Sequence, residues 1–320
     1  MNILITGAAG FIGSHACEHF IRLGNFVVGL DNFDSFYPKK IKKSNLAGVI
    51  NNDNFRFYES DIRNAEALDK IFSSNKIDVV IHLAAKAGVR PSMNAITEYY
   101  DVNLNGTIIL LEAMRKHLVN KMIFASSSSV YGNNIKVPFS EVDFVDNPIS
   151  PYASTKKSGE LLCHVYCHLY DMSISCLRFF TVFGPRQRPD LAIHKFTKLI
   201  DEGKPIPVFG DGSTARDYTY ILDIVNGIEC ALNKLDGYNI FNLGESRTTS
   251  LNELVEMLEN AVGKKAIREI FPLQPGDVKI TFADISKARS CIGYNPVYTM
   301  SSGINEFVKW YHDNKVLLID

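Results

Sequence analysis

The sequence predicts an α/β fold, a doubly wound parallel sheet with a smaller C-terminal substrate-binding lobe. Three observations carry this. Short β-rich apolar runs alternate with helix-period segments through the first half, a glycine set follows the first of these runs, and the texture turns to Gly/Pro-punctuated loops after about residue 180. Strands are expected at 2–6, 26–30, 55–59, 79–83, 121–125 and 173–179. Helices are expected at 11–23, 64–73, 97–117 and 153–170. Strand, helix, strand repeats join through right-handed crossovers, so the strands lie parallel. Gly184-Pro185, Gly203-Lys204-Pro205 and Gly210-Asp211-Gly212 then punctuate a region with helices expected at 192–202 and 250–262 and late strands at 267–271 and 279–282. This divides the chain into a dinucleotide domain over 1–180, with return segments near 217–246, and a lobe drawn mainly from 181–320.

Composition narrows the function. Of the 320 residues 46% are apolar and 22% charged, which suits a globular protein with a sizeable core. The net charge of −1 comes from 34 scattered Lys and Arg against 35 Asp and Glu, leaving no basic stripe for nucleic acid. No apolar run approaches the roughly 18 residues of a membrane span. Met1-Asn2 leads straight into Ile3-Leu4-Ile5 with no basic, long apolar and cleavage segments, so a cytoplasmic location is expected. The six cysteines form no CxxC pair. Cys163, His164, Cys167 and His168 have helical ligand spacing, but Leu161, Leu162, Val165, Tyr166 and Leu169 surround them with an apolar helix pattern. Packing is the better account, and no metal site is expected.

Gly7-Ala8-Ala9-Gly10-Phe11-Ile12-Gly13 follows the first strand and opens a helix, the context a dinucleotide motif requires. Glycines there permit a tight turn and let backbone N–H groups at the helix start approach a pyrophosphate. Such a set could also be a plain strand-to-helix turn. Asp31, 18 residues past Gly13 at the end of the second strand, favours the dinucleotide. Its carboxylate can bond ribose hydroxyls and would repel a 2′-phosphate, so NAD is expected rather than NADP. Asp61-Ile62 and Leu83-Ala84-Ala85-Lys86 fall at the ends of the next two strands, where open α/β sheets bind ligands.

Tyr152 and Lys156, in Pro151-Tyr152-Ala153-Ser154-Thr155-Lys156, sit four apart at a helix start and share one face. Oxidising an alcohol by hydride transfer requires its proton to leave. A phenol with a pKa of about 10 is a poor acceptor at neutral pH unless a nearby cation favours the phenolate. Lys156 can supply that charge and bond the nicotinamide ribose. Ser126, Ser127, Ser128 and Ser129 follow the strand at 121–125, where one hydroxyl can hold the reacting oxygen.

On these motifs the chain resembles the extended short-chain dehydrogenase/reductases, with their Rossmann fold, and among them the nucleotide-sugar 4-epimerases. The resemblance runs from Gly7–Gly13 through Tyr152 and Lys156 to Arg216-Asp217-Tyr218 and Pro275-Gly276-Asp277. Matched to Val130-Tyr131-Gly132, it makes Ser127 the catalytic hydroxyl, and it adds Asn32 and Asn103 to the cofactor set. Related dehydratases and decarboxylases carry acidic residues where Ser128 and Ser129 stand here, which favours simple oxidation, rotation of a 4-keto sugar and reduction on its other face.

The segments 31–37, 87–90 and 181–190 are most similar to UDP-glucuronate 4-epimerases. A C5 carboxylate calls for a guanidinium and hydroxyls. The resemblance implies Arg188 with Thr181, Ser128 and Ser129, and Arg90 or Arg186 as a second positive charge. For the uridine diphosphate it implies Arg216 on phosphate, Val208 and Phe209 around uracil, and Asp277 on the ribose. A family arginine before the Gly-Asp pair is replaced by Gln274-Pro275. It further implies a homodimer formed through the helices near 97–117 and 153–170. A neutral substrate, UDP-glucose or a UDP-N-acetylhexosamine, is the alternative.

Overall fold

The computed structural model describes residues 1–272 and 279–319. Its strands are β1 (Asn2–Thr6), β2 (Phe26–Asp31), β3 (Phe55–Glu59), β4 (Val79–His82), β5 (Lys121–Ser127), β6 (Ser173–Phe179), β7 (Thr181–Phe183), β8 (Pro205–Phe209), β9 (Ala215–Arg216), β10 (Tyr218–Tyr220), β11 (Tyr238–Leu243), β12 (Thr249–Ser250) and β13 (Ile267–Phe271). Its helices are α1 (Phe11–Arg22), α2 (Lys39–Asn45), α3 (Ala65–Ser74), α4 (Val89–Ser92), α5 (Ile96–Tyr100), α6 (Gly106–Lys116), α7 (Pro151–Tyr170), α8 (Ala192–Asp201), α9 (Ile221–Asn233), α10 (Leu251–Val262), α11 (Ser286–Ile292), α12 (Met300–Asp313) and α13 (Lys315–Ile319).

Seven strands form one parallel sheet in the order β11-β6-β5-β4-β1-β2-β3. The chain moves outward from β1 to β3, then returns to lay β4 against the other side of β1. That reversal opens a crevice at the carboxyl ends of β1 and β4. Its central strands are near-continuous apolar runs because helices cover both faces. Ala16, Cys17 and Phe20 of α1 and Ile224 and Ile228 of α9 pack on one face. Leu68 and Ile71 of α3, Leu110 and Met114 of α6, and Cys163 and Tyr166 of α7 pack on the other. Cys163 is thus core, as packing required. A third cluster, with Phe196, Ile206, Val208, Leu254 and Phe307, fills the lobe built from α8, α10 and α12. Among the described residues no helix is long and apolar enough to cross a membrane.

The early strands stand where the apolar runs put them, but β5 continues to Ser127, which makes that serine the last strand residue. The helix expected over 97–117 is interrupted by a π-helical turn at Asp101–Asn105. The late strand at 279–282 is not formed. That segment makes single bridges instead, Ile280 to Ala215, and Ala283 just beyond it to Phe139, because it passes between two partners and stays with neither long enough for a ladder. Strand β11 and helix α9, both past residue 180, complete the main sheet and its cover.

His82, at the end of β4, is buried between the Thr6 hydroxyl (2.7 Å) and the Thr107 hydroxyl (3.0 Å), and burial pushes its pKa down to about 3. A histidine held neutral in the fold contributes stability above its unfolded pKa of about 6.5, lost as pH falls toward the folded value. From pH 7 to pH 5 this costs about 2 kcal/mol. Denaturant unfolding of His82→Gln at the two pH values should therefore show a smaller acid loss than the wild type; an equal loss counts against a neutral His82.

Candidate active site

A cavity of ≈ 370 Å³ lies at the carboxyl ends of the strands. Its floor is the turn from β1 into α1. Gly7 has φ +71°, and a Cβ there would meet the Ala84 backbone nitrogen at 2.8 Å. A Cβ on Gly13 would lie 2.0 Å from the Gly7 carbonyl oxygen. Only glycines let α1 start this close to the strand, and Gly10 leads into it in extended conformation with no side-chain cap. The helix thus presents its first N–H groups and positive dipole end to the cavity, an arrangement suited to a pyrophosphate.

The cofactor candidates Gly7, Gly10, Phe11, Ile12, Gly13, Asp31, Asn32, Asp61, Ile62, Leu83, Ala84, Ala85 and Lys86 all line this cavity. The Asp31 carboxylate accepts N–H bonds from Ala9 (3.1 Å) and Phe33 (2.8 Å), while burial raises its pKa. Asp61 is held down to about 2 by the Arg63 guanidinium, which donates to both of its oxygens, and it also accepts from Asn32 Nδ2 (2.8 Å). A glycine turn at a helix start, with a carboxylate at the end of β2, fits NAD. Asn103 lies apart from the cavity wall. It accepts the Lys86 N–H at 2.7 Å and donates to the Lys86 carbonyl and to Thr155, so it braces the wall from behind, at the π turn.

Helix α7 begins with Ser150, whose hydroxyl accepts the Ala153 N–H, and Pro151 at the first position. That start sets Tyr152 and Lys156 on the cavity wall. The Ser129 hydroxyl donates to Ser127 Oγ at 2.9 Å, and the Ser127 hydroxyl lies beside the Tyr152 phenol on the cavity wall. Burial pushes the Tyr152 pKa up, against the Ser127 hydrogen bond and the Arg188 charge, which both pull it down. Lys156 Nζ lies 5.9 Å from the Tyr152 ring centroid, donates to the Ala125 carbonyl at 2.7 Å, and has its own pKa pushed down to about 8 by burial.

Of the substrate candidates, Ser127, Thr181 and Arg188 line the cavity. Arg188 donates to both oxygens of Asp190 (2.9 and 2.7 Å) and lies over the Phe36 ring. Ser128 and Ser129 enter a short 3-10 turn behind Ser127. Arg186 has φ +67°, which turns it away to pair with Glu18 of α1. Val208 is buried in the lobe core. Phe209 packs on Phe271, with the Arg90 guanidinium over its ring at 5.4 Å. Arg216 Nη1 donates to the Ala215 carbonyl (2.9 Å). Asp277 and the Gln274-Pro275 pair lie outside the described residues.

Residue-by-residue reading passes over several wall residues: Asp34, Phe36, Tyr37, Lys42, Gly88 and Leu191. The resemblance of the 31–37 and 87–90 segments marks part of this group. Lys42 is buried in α2 and donates to the Asp34 carbonyl at 2.7 Å, which no local pattern announces.

Residues 3–244 match the NAD dependent epimerase/dehydratase family. A UDP-glucuronate 4-epimerase of Thermodesulfobacterium geofontis is 45% identical over 316 residues, covering 98% of this chain and 97% of the relative. The crystal structure of a Bacillus cereus UDP-glucuronic acid 4-epimerase, in complex with UDP-glucuronic acid and NAD, has a TM-score of 0.92 at 41% identity, covering 98% of this chain and 99% of that one. A Thermotoga maritima UDP-glucose 4-epimerase with UDP-glucose reaches 0.91 at 34% identity, covering 98% and 100%. Glycine turn, Asp31, and the serine, tyrosine and lysine around one cavity agree with these likenesses, and the chain belongs to the NAD dependent epimerase/dehydratase family.

Proposed function

We propose that the chain inverts C4 of UDP-glucuronate, interconverting it with UDP-galacturonate. The observation that carries this is the placement of the Arg188 guanidinium and the Thr181 hydroxyl on the same cavity wall as Ser127, Tyr152 and Lys156. A cation in that place answers a substrate carboxylate.

NAD bound along the glycine turn and Asp31 supplies a reversible hydride acceptor. The remaining chemistry belongs to the chain. Ser127 positions the C4 hydroxyl, and the Tyr152 phenolate takes its proton while the Ser129-to-Ser127 hydrogen bond supports the negative oxygen. Lys156, anchored on Ala125, holds the cofactor ribose. The sugar carbonyl then turns over within the cavity, and Tyr152 returns its proton once the other face is reduced. Arg188 and Thr181 grip the carboxylate so that its C–C bond stays out of line with the ketone, which suppresses loss of CO₂.

The test follows C4 configuration by proton NMR with UDP-glucuronate, UDP-glucose and UDP-N-acetylglucosamine. Inversion of the uronate alone is expected. Arg188→Ala should raise its KM by about 10–100-fold, the weight of hydrogen bonds to a charged group. Inversion of a neutral sugar alone, or an unchanged KM in the variant, overturns the uronate assignment.

The proposal includes a homodimer. Helix α7 exposes Leu161, Val165, Leu169 and Tyr170, and α5 exposes Ile96 and Tyr100. Light scattering of Leu161→Glu/Leu169→Glu should report monomers; a dimer would place the interface elsewhere. A cytoplasmic setting is part of the same proposal, supported by six free cysteines, three of them buried.

A further inference from the structure

Beneath the catalytic wall lies a buried ion pair that the reaction does not use directly. Glu160 and Arg178 are 0% and 1% exposed. Arg178 Nε and Nη2 donate to the two Glu160 oxygens, each at 2.8 Å. Removing two charges from water costs enough that a buried pair is weak evidence of stabilisation, and a well-packed apolar pair often does as well. What this pair touches gives it another use.

Tyr152, Lys156 and Glu160 are successive i,i+4 positions on one face of α7. Each engages a different residue at the end of β5. Tyr152 stands beside Ser127 on the cavity wall. Lys156 donates to the Ala125 carbonyl at 2.7 Å. Glu160 accepts from the Ser126 hydroxyl at 2.6 Å. Gly159 lets the helix come this close, since a Cβ there would stand 2.4 Å from the Phe124 ring. Ser126, Arg178 and Asn242 are register partners in a single row across β5, β6 and β11. Arg178 Nη1 donates to the Tyr131 hydroxyl (3.0 Å), which donates to Asn242 Oδ1 (2.6 Å). The row is therefore continuous from α7 through three strands to the 3-10 turn that carries Ser129.

We infer that Glu160 and Arg178 are positioning residues, locking α7 in register on β5 so that the Tyr152 phenol and the Ser127 hydroxyl stay within hydrogen-bond reach. The lock is rigid because Ser126, Glu160, Arg178, Tyr131 and Asn242 are buried and the Glu160 carboxylate and Arg178 guanidinium carry charge-assisted bonds. A slide or tilt of α7 would separate the Tyr152 phenol from the Ser127 hydroxyl while leaving the glycine turn and Asp31, on other elements, in place. The inference rests on Tyr152 acting as the base.

The experiment compares wild type, Tyr152→Phe, Ser126→Ala, and the double variant Glu160→Leu/Arg178→Met, which removes both charges together and strands neither. Bound NAD and KM are expected to stay near wild type in the double variant. Its kcat should fall by roughly 10–100-fold, in the range expected for a misplaced acid-base group. The acidic limb of its kcat/KM–pH profile should move to higher pH, because a phenol that loses the Ser127 bond ionises less readily. Ser126→Ala, which cuts one strap, should show the same shift with a smaller fall in kcat. A loss of rate without movement of the limb, or wild-type kinetics in the folded double variant, overturns the inference. If the double variant does not fold, the limb of Ser126→Ala decides by itself. An active Tyr152→Phe would instead overturn the assignment of the base.

Discussion

Tyr152→Phe is expected to lower kcat by about 10²–10⁴-fold, the usual weight of one general acid-base group. The phenol is the titratable group that the Ser127 hydroxyl pulls down at the cavity wall. A phenylalanine ring can keep the edge-on contact with Tyr99, whose ring centroid lies 6.3 Å away, so the pocket should hold its shape. Lys156 stays on the Ala125 carbonyl whichever ring is present. Bound NAD and KM should therefore change little while turnover collapses, measured by the NMR assay and by cofactor released on denaturation. Activity within tenfold of wild type would show that another group takes the proton. Burial holds the phenol above its ordinary pKa, so the rate should climb with pH on its acidic limb. Ser127→Ala removes the strongest of the influences pulling the phenol down and should move that limb further to alkaline pH.

Gly13→Ala should abolish retention of NAD. The new methyl would stand 2.0 Å from the Gly7 carbonyl oxygen, 2.8 Å from its carbon and 3.0 Å from Ala8 Cα. All three are backbone atoms, and none can rotate aside. Helix α1 would have to lift from the end of β1, taking the N–H groups of residues 11–13 out of the cavity. Overpacking of this kind costs about 1–3 kcal/mol or more, which for a chain of this size lowers Tm by several degrees. Thermal melts with and without added NAD measure both effects together. A variant that melts like the wild type and copurifies with NAD would show that α1 does not hold the dinucleotide.

How much of this was legible depended on the distance over which a pattern acts. Strands β1, β2, β4 and β5 are largely apolar runs of 4–7 residues, and their burial on both faces is what such runs signify. The glycine turn and the Tyr152/Lys156 pair are local too, since each needs only adjacent residues or one helical turn. From these alone came the sheet's parallel character, the dinucleotide edge, and the serine, tyrosine and lysine chemistry. Choosing Ser127 from four consecutive serines needed the family likeness, because the end of β5 is a matter of register with β6. Its pairing through Ser127 to Phe179 is what leaves Ser128 to start the next turn.

What only the tertiary structure decided involves residues far apart in the chain. Arg186 is an option for a second positive charge beside Arg188, yet a positive φ sends it to Glu18 while Arg188 stays in the cavity. Asn103 faces the Lys86 backbone because a π turn rotates it there. Glu160 and Arg178 are 18 positions apart and unremarkable on their own. They meet because α7 crosses back over β5 and β6. Alternation, helical spacing and turn chemistry are written in neighbouring residues, so the sequence determined the fold class, the cofactor edge and the candidate reacting groups. Helix-on-sheet register and side-chain direction depend on long-range packing, and these decided that Arg186 turns to Glu18 and that Glu160 meets Arg178.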